Sequence, residues 1–370
     1  MTQPRHGSTL RTEWFLAVSV GAAALFLFFG NSIWSQLHHW PVLVLAFGSL
    51  FAAVLGSALS VIRHAEHLAD MLGDPFGTLI LTFSVIVIEI TSITSVMLHG
   101  DANPTLARDT LFAVVMIILN GMVGLTLLIG GWRHGEQFHN LQGANVYLCA
   151  SIPLLVFGLV MPDFTLSTSG PTLSRSQQIF LILASVGIYL IFLRLQTGRL
   201  RTYFSSESIE VTEERLAASR KDVLRSAALL VAYLVPALIL EHEMSHPIDH
   251  LTETLGAPPA IGGVFIAVLV AMPEAIGAVR AALHNQLQRA VNIFLGSVLS
   301  TIGLTIPAMI VIGEMTGQQL ILGVQHTDLV LLLLTIAVSI VTFSSGRTNV
   351  LQGAVHLMIF FAYLLFIFQD

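Results

Sequence analysis

Apolar residues run along this chain in long unbroken blocks separated by short polar stretches. Eleven blocks, at about 14–30, 40–62, 76–98, 109–131, 143–161, 177–195, 223–241, 260–282, 290–312, 328–343 and 351–369, are long enough, or nearly so, to cross a bilayer. The blocks are continuous and not alternating, so each predicts a helix and not a strand of a closed barrel. The longest polar interruption, 196–222, separates a first helix and five more from a final five. The expected fold class is therefore an all-α polytopic membrane protein with about 11 transmembrane helices. It divides into residues 1–39 with the first helix, a five-helix repeat over 40–195, an acidic linker over 196–222 and a second five-helix repeat over 223–370. An odd number of spans per half makes the second repeat enter the membrane inverted relative to the first, a plan found in secondary transporters.

Composition agrees with this. The chain is 55% hydrophobic and 10% charged, with a mean hydropathy of +0.82, whereas soluble domains carry about 25% charged residues. The net charge of -6 is spread over loops, which removes nucleic acid as an expected partner. The single cysteine, Cys149, excludes an intramolecular disulfide. No small-residue cleavage site follows the first apolar block, so that block reads as a retained helix and not a cleaved signal. With the N-terminus in the cytoplasm, 14 of the 16 Lys and Arg residues fall inside and only Arg108 and Arg175 fall outside; the C-terminus is then outside.

Against this background the charges inside the apolar blocks stand out. Glu89 lies in the middle of "FSVIVIEITSITS", where an ionised side chain costs roughly 2.5–3.5 kcal/mol or more. The two halves explain it. "LGDPFGTLILTFSVIVIE" (72–89) and "LGAPPAIGGVFIAVLVAMPE" (255–274) each begin with Leu-Gly and a Pro-containing turn, then run apolar to a glutamate, Glu89 or Glu274. Inverted repeats would bring the two carboxylates together near the midplane. Such a pair favours protons when empty and ionises when a cation neutralises it, so protons and a metal cation compete for it.

The chemistry suits a hard cation held by oxygen. Glu89 and Glu274 are the expected cation and proton ligands. Thr82, Ser84, Thr91, Asn120, Ser297, Ser300 and Thr301 are nearby polar candidates, with ordinary helix packing as their alternative role. Pro273 removes a backbone donor just before Glu274 and frees a carbonyl one turn earlier. No thiolate or histidine cluster stands at this depth, which disfavours a soft metal. No resident cofactor is expected; Ca²⁺ or Na⁺ would be a transported substrate.

Other motifs compete. "HEMSH" (242–246) matches the His-Glu-x-x-His pattern of zinc proteases, and an intramembrane metalloprotease is the alternative reading. Pro247 biases His246 out of the α-region, and Glu241, Glu243, Asp249 and Glu253 read as an acidic outer loop. A passive cation channel is a further alternative, although paired glutamates in an inverted repeat favour alternating access. Glu207, Glu210, Glu213 and Glu214 in the linker suit either a solvated connector or a Ca²⁺-sensing element. His64, His67, His134 and His139 fall in inside loops, and His356 lies within the last helix with no assigned role.

At these residues the sequence resembles the calcium/cation antiporter superfamily, in its cation:proton exchanger branch. "EHLADMLGDPFGTLILTFSVIVIE" is similar to the first α-repeat of that family. "IGGVFIAVLVAMPEAIGAVRAALHNQLQRAVNIFLGSVLSTIGLTIP" is similar to the second, with Glu274, Asn285, Gly296-Ser297 and Pro307 at the family's spacing. "SSGRTNVLQGAVHLMIFFAY" resembles its last loop and helix. Val85 to Ile88 and Val270 to Pro273 stand where the family often has Gly-Asn-Ala. The resemblance implies a bacterial inner-membrane antiporter that exports cytoplasmic Ca²⁺, with Na⁺ or K⁺ as further substrates, in exchange for external protons. It implies that Glu89 and Glu274 are the alternating sites. A homo-oligomer is compatible with it.

Overall fold

The computed structural model describes residues 13–73, 76–98, 103–168, 170–204 and 220–369. Each of the eleven apolar blocks is a helix long and apolar enough to cross a membrane. They are α1 (Trp14–Trp34), α2 (Trp40–Leu72), α3 (Phe76–Met97), α4 (Leu106–His134), α5 (Leu141–Phe164), α6 (Arg175–Thr197), α7 (Arg220–Glu243, helical with one break to Thr254), α8 (Ala260–Leu283), α9 (Leu287–Thr316), α10 (His326–Phe343) and α11 (Val350–Ile367). The linker acids Glu207, Glu210, Glu213 and Glu214 lie outside the described residues.

Several ends extend past the apolar blocks. α2 continues to Leu72 because its polar segment keeps an apolar stripe, with Ala65 and Leu68 buried. His64 and His67 are therefore helical and not in a loop, and His64 is buried. α4 starts at Leu106, which draws Arg108 and Asp109 into its buried first turn as an ion pair of 2.7 Å. His139 does lie in a connection, but it is buried and bonds the Phe343 carbonyl.

The helices pack into two compact units, and both draw on both halves of the sequence. The first comprises residues 1–96 with 217–254, that is α1, α2, α3 and α7. Here α1 lies so close to α2 that a Cβ on Gly56 would meet the Phe15 ring at 2.1 Å, and Ser19 and Ser57 share a buried hydrogen bond of 2.7 Å. Glu13, just before α1, fastens that helix to its neighbours. Its Oε2 accepts from Arg63 at 2.6 Å and from the Tyr233 hydroxyl at 2.9 Å, with His64 at 3.3 Å.

Burial alone would raise the Glu13 pKa, but the Tyr233 hydrogen bond, the Arg63 charge and His64 together hold it below the usual carboxylate value. A depressed carboxylate contributes stability that is present above its unfolded value and lost as pH falls through the folded one. Glu13→Gln should therefore lower the thermal midpoint at neutral pH, and the difference from wild type should close as pH falls below 4.5. Thermal scans in detergent across pH check this; a pH-independent difference would refute it.

The second unit comprises residues 97–216 with 255–370 and holds α4, α5, α6, α8, α9, α10 and α11. Its core is formed by consecutive buried residues of α4 with Tyr147, Phe294 and Phe343. α4 and α9, the third helices of their respective halves, each carry a π-helical segment, at Ile117–Met122 and Thr301–Thr305. Such segments interrupt the regular hydrogen-bond ladder and often mark functional sites. Short strands β1 (Gln137–Phe138) and β2 (Arg347–Thr348) pair antiparallel. Asn285, between α8 and α9, takes a left-handed backbone (φ 57°) and accepts from the Gln137 amide at 3.0 Å.

Candidate ion-binding site

Glu89 sits in the middle of α3, in the first unit, and is fully buried. Apart from small hydroxyl residues this helix is apolar, and Glu89 is its one ionisable side chain. Thr82 lies seven positions earlier, two turns away on the same face. Ser84 points elsewhere: five positions separate it from Glu89, and its hydroxyl donates to the Ile80 carbonyl at 2.8 Å. Thr91 is half-buried two positions on.

Glu274 sits past the middle of α8, in the second unit, and is half-buried. Pro273 offers no N–H to the carbonyl of Leu269, so α8 carries a free backbone acceptor one turn before the glutamate. The Ser297 hydroxyl of α9 donates to Glu274 Oε2. Ser300 donates to the Ser297 carbonyl at 3.0 Å, and Thr301 opens the adjoining π segment. The structure thus brings Ser297 directly to Glu274, with Ser300 and Thr301 behind it. These oxygens could hold a hard cation, and a carboxylate with a hydroxyl donor can equally hold a proton. A hydrogen bond to a charged group contributes about 1.5–3 kcal/mol. Ser297→Ala should therefore raise the KM for the cation roughly tenfold while leaving maximal rate within a few-fold. Transport kinetics in vesicles check this, and an unchanged KM would sink the role of Ser297.

Asn120 is placed differently. It lies in the π segment of α4, where its amide donates to Thr335 at 2.8 Å and its carbonyl oxygen is 3.3 Å from His356 Nδ1. His356 is fully buried and bonds Thr342 at 2.9 Å. This polar chain ties α4, α10 and α11 together, and it accounts for the histidine that the sequence left without a role.

The HEMSH segment is built as a helix junction. α7 ends at Glu243, and a short helix restarts at Ser245–Asp249. His246 is helical after all, because Pro247 falls in the first turn of the restarted helix, where a missing N–H is tolerated. Glu243 accepts from the Trp34 indole at 3.1 Å, and the His246 ring stacks on Trp34. Among the described residues, no group of three His, Cys, Asp or Glu is placed to hold a metal, so the segment gathers no zinc site. Glu241 is not part of an exposed outer loop: it is 2% exposed and lies on the buried face of α7 with Tyr233 and Ala237. The spacing 233, 237 and 241 is the helical signal that places it there.

Known proteins share this organisation. The family described as "Sodium/calcium exchanger protein" matches residues 42–198 and 225–369. The sodium-potassium/proton antiporter ChaA of Escherichia coli (strain K12) is 37% identical over 340 residues, covering 91% of this chain and 92% of that one. The Ca²⁺/H⁺ antiporter ChaA of Bacillus subtilis (strain 168) is 22% identical over 89% of this chain and 91% of its own length. The solved structure of native YfkE superposes with a TM-score of 0.71 at 18% identity, covering 96% of this chain and all (100%) of that one, which shows the same fold. With both halves of the chain matched, this protein belongs to the sodium/calcium exchanger family.

Proposed function

We propose that this protein is a cation:proton antiporter of the bacterial inner membrane, exporting cytoplasmic Ca²⁺, with Na⁺ or K⁺ as further substrates, in exchange for protons by alternating access. The observation that carries the reading is Glu274, half-buried in the membrane-spanning helix α8 with a hydroxyl donor and a proline-freed carbonyl beside it. Its sequence counterpart Glu89 is fully buried in the first half. In this reading both carboxylates take protons on one side, release them on the other, and bind the cation in their place. The relatives' names support the ion classes: sodium and potassium for the Escherichia coli protein, Ca²⁺ for the Bacillus subtilis one.

The test uses everted membrane vesicles with an acid-inside gradient. Ca²⁺, Na⁺, K⁺ and Mg²⁺ are added in turn while lumenal pH is followed. Collapse of the gradient by Ca²⁺, Na⁺ or K⁺ in the wild type, and not in Glu274→Gln vesicles, is the expected result. Failure of all of these cations to dissipate it would refute antiport.

A further inference from the structure

We propose that Glu241, with Ser92, is a third carboxylate station of the exchange pathway, binding the proton or the cation next to Glu89. This rests on the antiport reading above. Two acids of α7 are buried in the first unit, and only one is explained by packing. Glu243 Oε2 takes the Trp34 indole N–H. Glu241 is more deeply buried, at 2% exposure, and among the described residues its Oε2 has no hydrogen-bond partner. A buried carboxylate oxygen without a donor is costly to keep, and a leucine or glutamine would fill the space at less cost.

What Glu241 does touch points to ion handling. Its side chain hydrogen-bonds Ser92 of α3, and Ser92 stands three residues from Glu89, on the same helical face. The Ser92 hydroxyl lies 3.0 Å from the carbonyl of Ile88, the residue preceding Glu89. A hydroxyl has one proton to give. Donated to Ile88, it leaves Ser92 to accept from a protonated Glu241; turned to Glu241, it stabilises the carboxylate. Ser92 therefore serves either state of the acid, as a site that alternates between a proton and a cation requires.

The surroundings leave few other charges to neutralise Glu241. α1 has no ionisable residue, α2 has none between Trp40 and Ile62, and Glu89 is the one acid of α3. Beside it on its own helix and on the junction that follows stand His242, Glu243, His246, Asp249, His250 and Glu253, with Tyr233 two turns earlier and Arg220, Lys221, Asp222 and Arg225 at the far end of α7. With the orientation set by Lys and Arg, Ser92 and Glu241 both lie on the outer side of Glu89, where arriving protons would first be held.

The test compares wild type, Glu241→Gln, Ser92→Ala and Glu89→Gln in proteoliposomes. Initial exchange rates are measured across pH and cation concentration, alongside infrared difference spectra of the protonated-carboxyl band on addition of Ca²⁺ or Na⁺. Glu241→Gln is expected to lose roughly tenfold in rate with an altered pH profile, and to lack part of the carboxyl signal that the cation removes in wild type. Ser92→Ala, a smaller change that keeps α3 helical, should alter the pH profile in the same direction. Wild-type rates and pH profiles in both variants, with Glu89→Gln inactive, would overturn the proposal and leave antiport standing. So would a uniform loss of rate with the wild-type carboxyl signal intact, which marks a packing role. A wild type that exchanges no cation overturns the antiport reading and this proposal with it.

Discussion

Glu274→Gln is expected to reduce cation-driven proton movement to background, a loss of roughly a hundredfold or more, and Glu89→Gln to do the same. Glutamine has the shape of glutamic acid, and its carbonyl oxygen can still accept from Ser297, so the local packing of α8 on α9 survives. What it lacks is the ability to ionise. An amide stays neutral at every working pH, so the site can neither release a proton nor balance the charge of a cation. The same holds in α3, where Glu89 is completely buried and a neutral side chain is tolerated at least as well as a charged one. Expression and detergent elution profiles should therefore match wild type while exchange vanishes. Proton movements in everted vesicles measure this. Full exchange by the Glu89→Gln, Glu274→Gln double variant would remove the two glutamates from the mechanism altogether.

Much of the fold is legible because hydrocarbon leaves a chain few options. Twenty apolar residues in a row must be helical to satisfy their own backbone, so every block from Trp14 to Ile367 could be located from hydrophobicity alone. Helix ends were less legible. The end of α2 is set by a stripe of Ala65 and Leu68 under a charged surface, and the start of α4 by an Arg108–Asp109 pair that neutralises itself. Neither appears as a hydrophobic run. The π segments were not read from the sequence: in α9 the segment lies just before Pro307, which has no N–H for the Gly303 carbonyl, whereas no proline stands near Ile117–Met122 in α4. The grouping of α7 with α1, α2 and α3 is also a matter of packing, as is the close approach of α1 to α2 that Gly56 allows.

The candidate site divides along the same line. Glu89 and Glu274 could be picked out because a carboxylate in an apolar run is rare and because the two stand at matched places in the repeat. Ser297 was one of several small polar residues, and only the crossing of α9 over α8 selects it. Glu241 was passed over because its sequence neighbours are polar; its three-dimensional neighbours are Ser92 and the buried stripe of α7. Charge in a sequence marks a surface only when the helix turns that residue outward, and at Glu241 the helix turns it inward.

Gly263→Val should strongly damage the fold of the second unit. α8 crosses the first turn of α4 at Gly263 so closely that a Cβ would stand 2.8 Å from the Thr110 nitrogen and 2.9 Å from the Asp109 carbonyl carbon. Both are backbone atoms, which cannot rotate aside as a side chain would. α4 or α8 must move, and the turn that would move holds a buried network. Arg108 donates to Asp109 at 2.8 Å and to the Gly323 carbonyl at 3.3 Å, while Thr105 donates to Asp109 at 2.9 Å. Overpacking typically costs about 1–3 kcal/mol, and a shift of the turn also breaks the Arg108 hydrogen bond to the Gly323 carbonyl, which reaches outside α4. Gly263→Ala, which adds the Cβ alone, should lower the thermal midpoint in detergent, and Gly263→Val should lower it further or prevent a monodisperse protein. An unaltered midpoint for Gly263→Val would mean that the two helices are not held at this distance. Because Glu274 lies eleven residues further along the same helix, about 16 Å away, a displacement of α8 at Gly263 also disturbs the carboxylate. Whatever Gly263→Val protein remains folded should therefore exchange cations more weakly than its amount predicts.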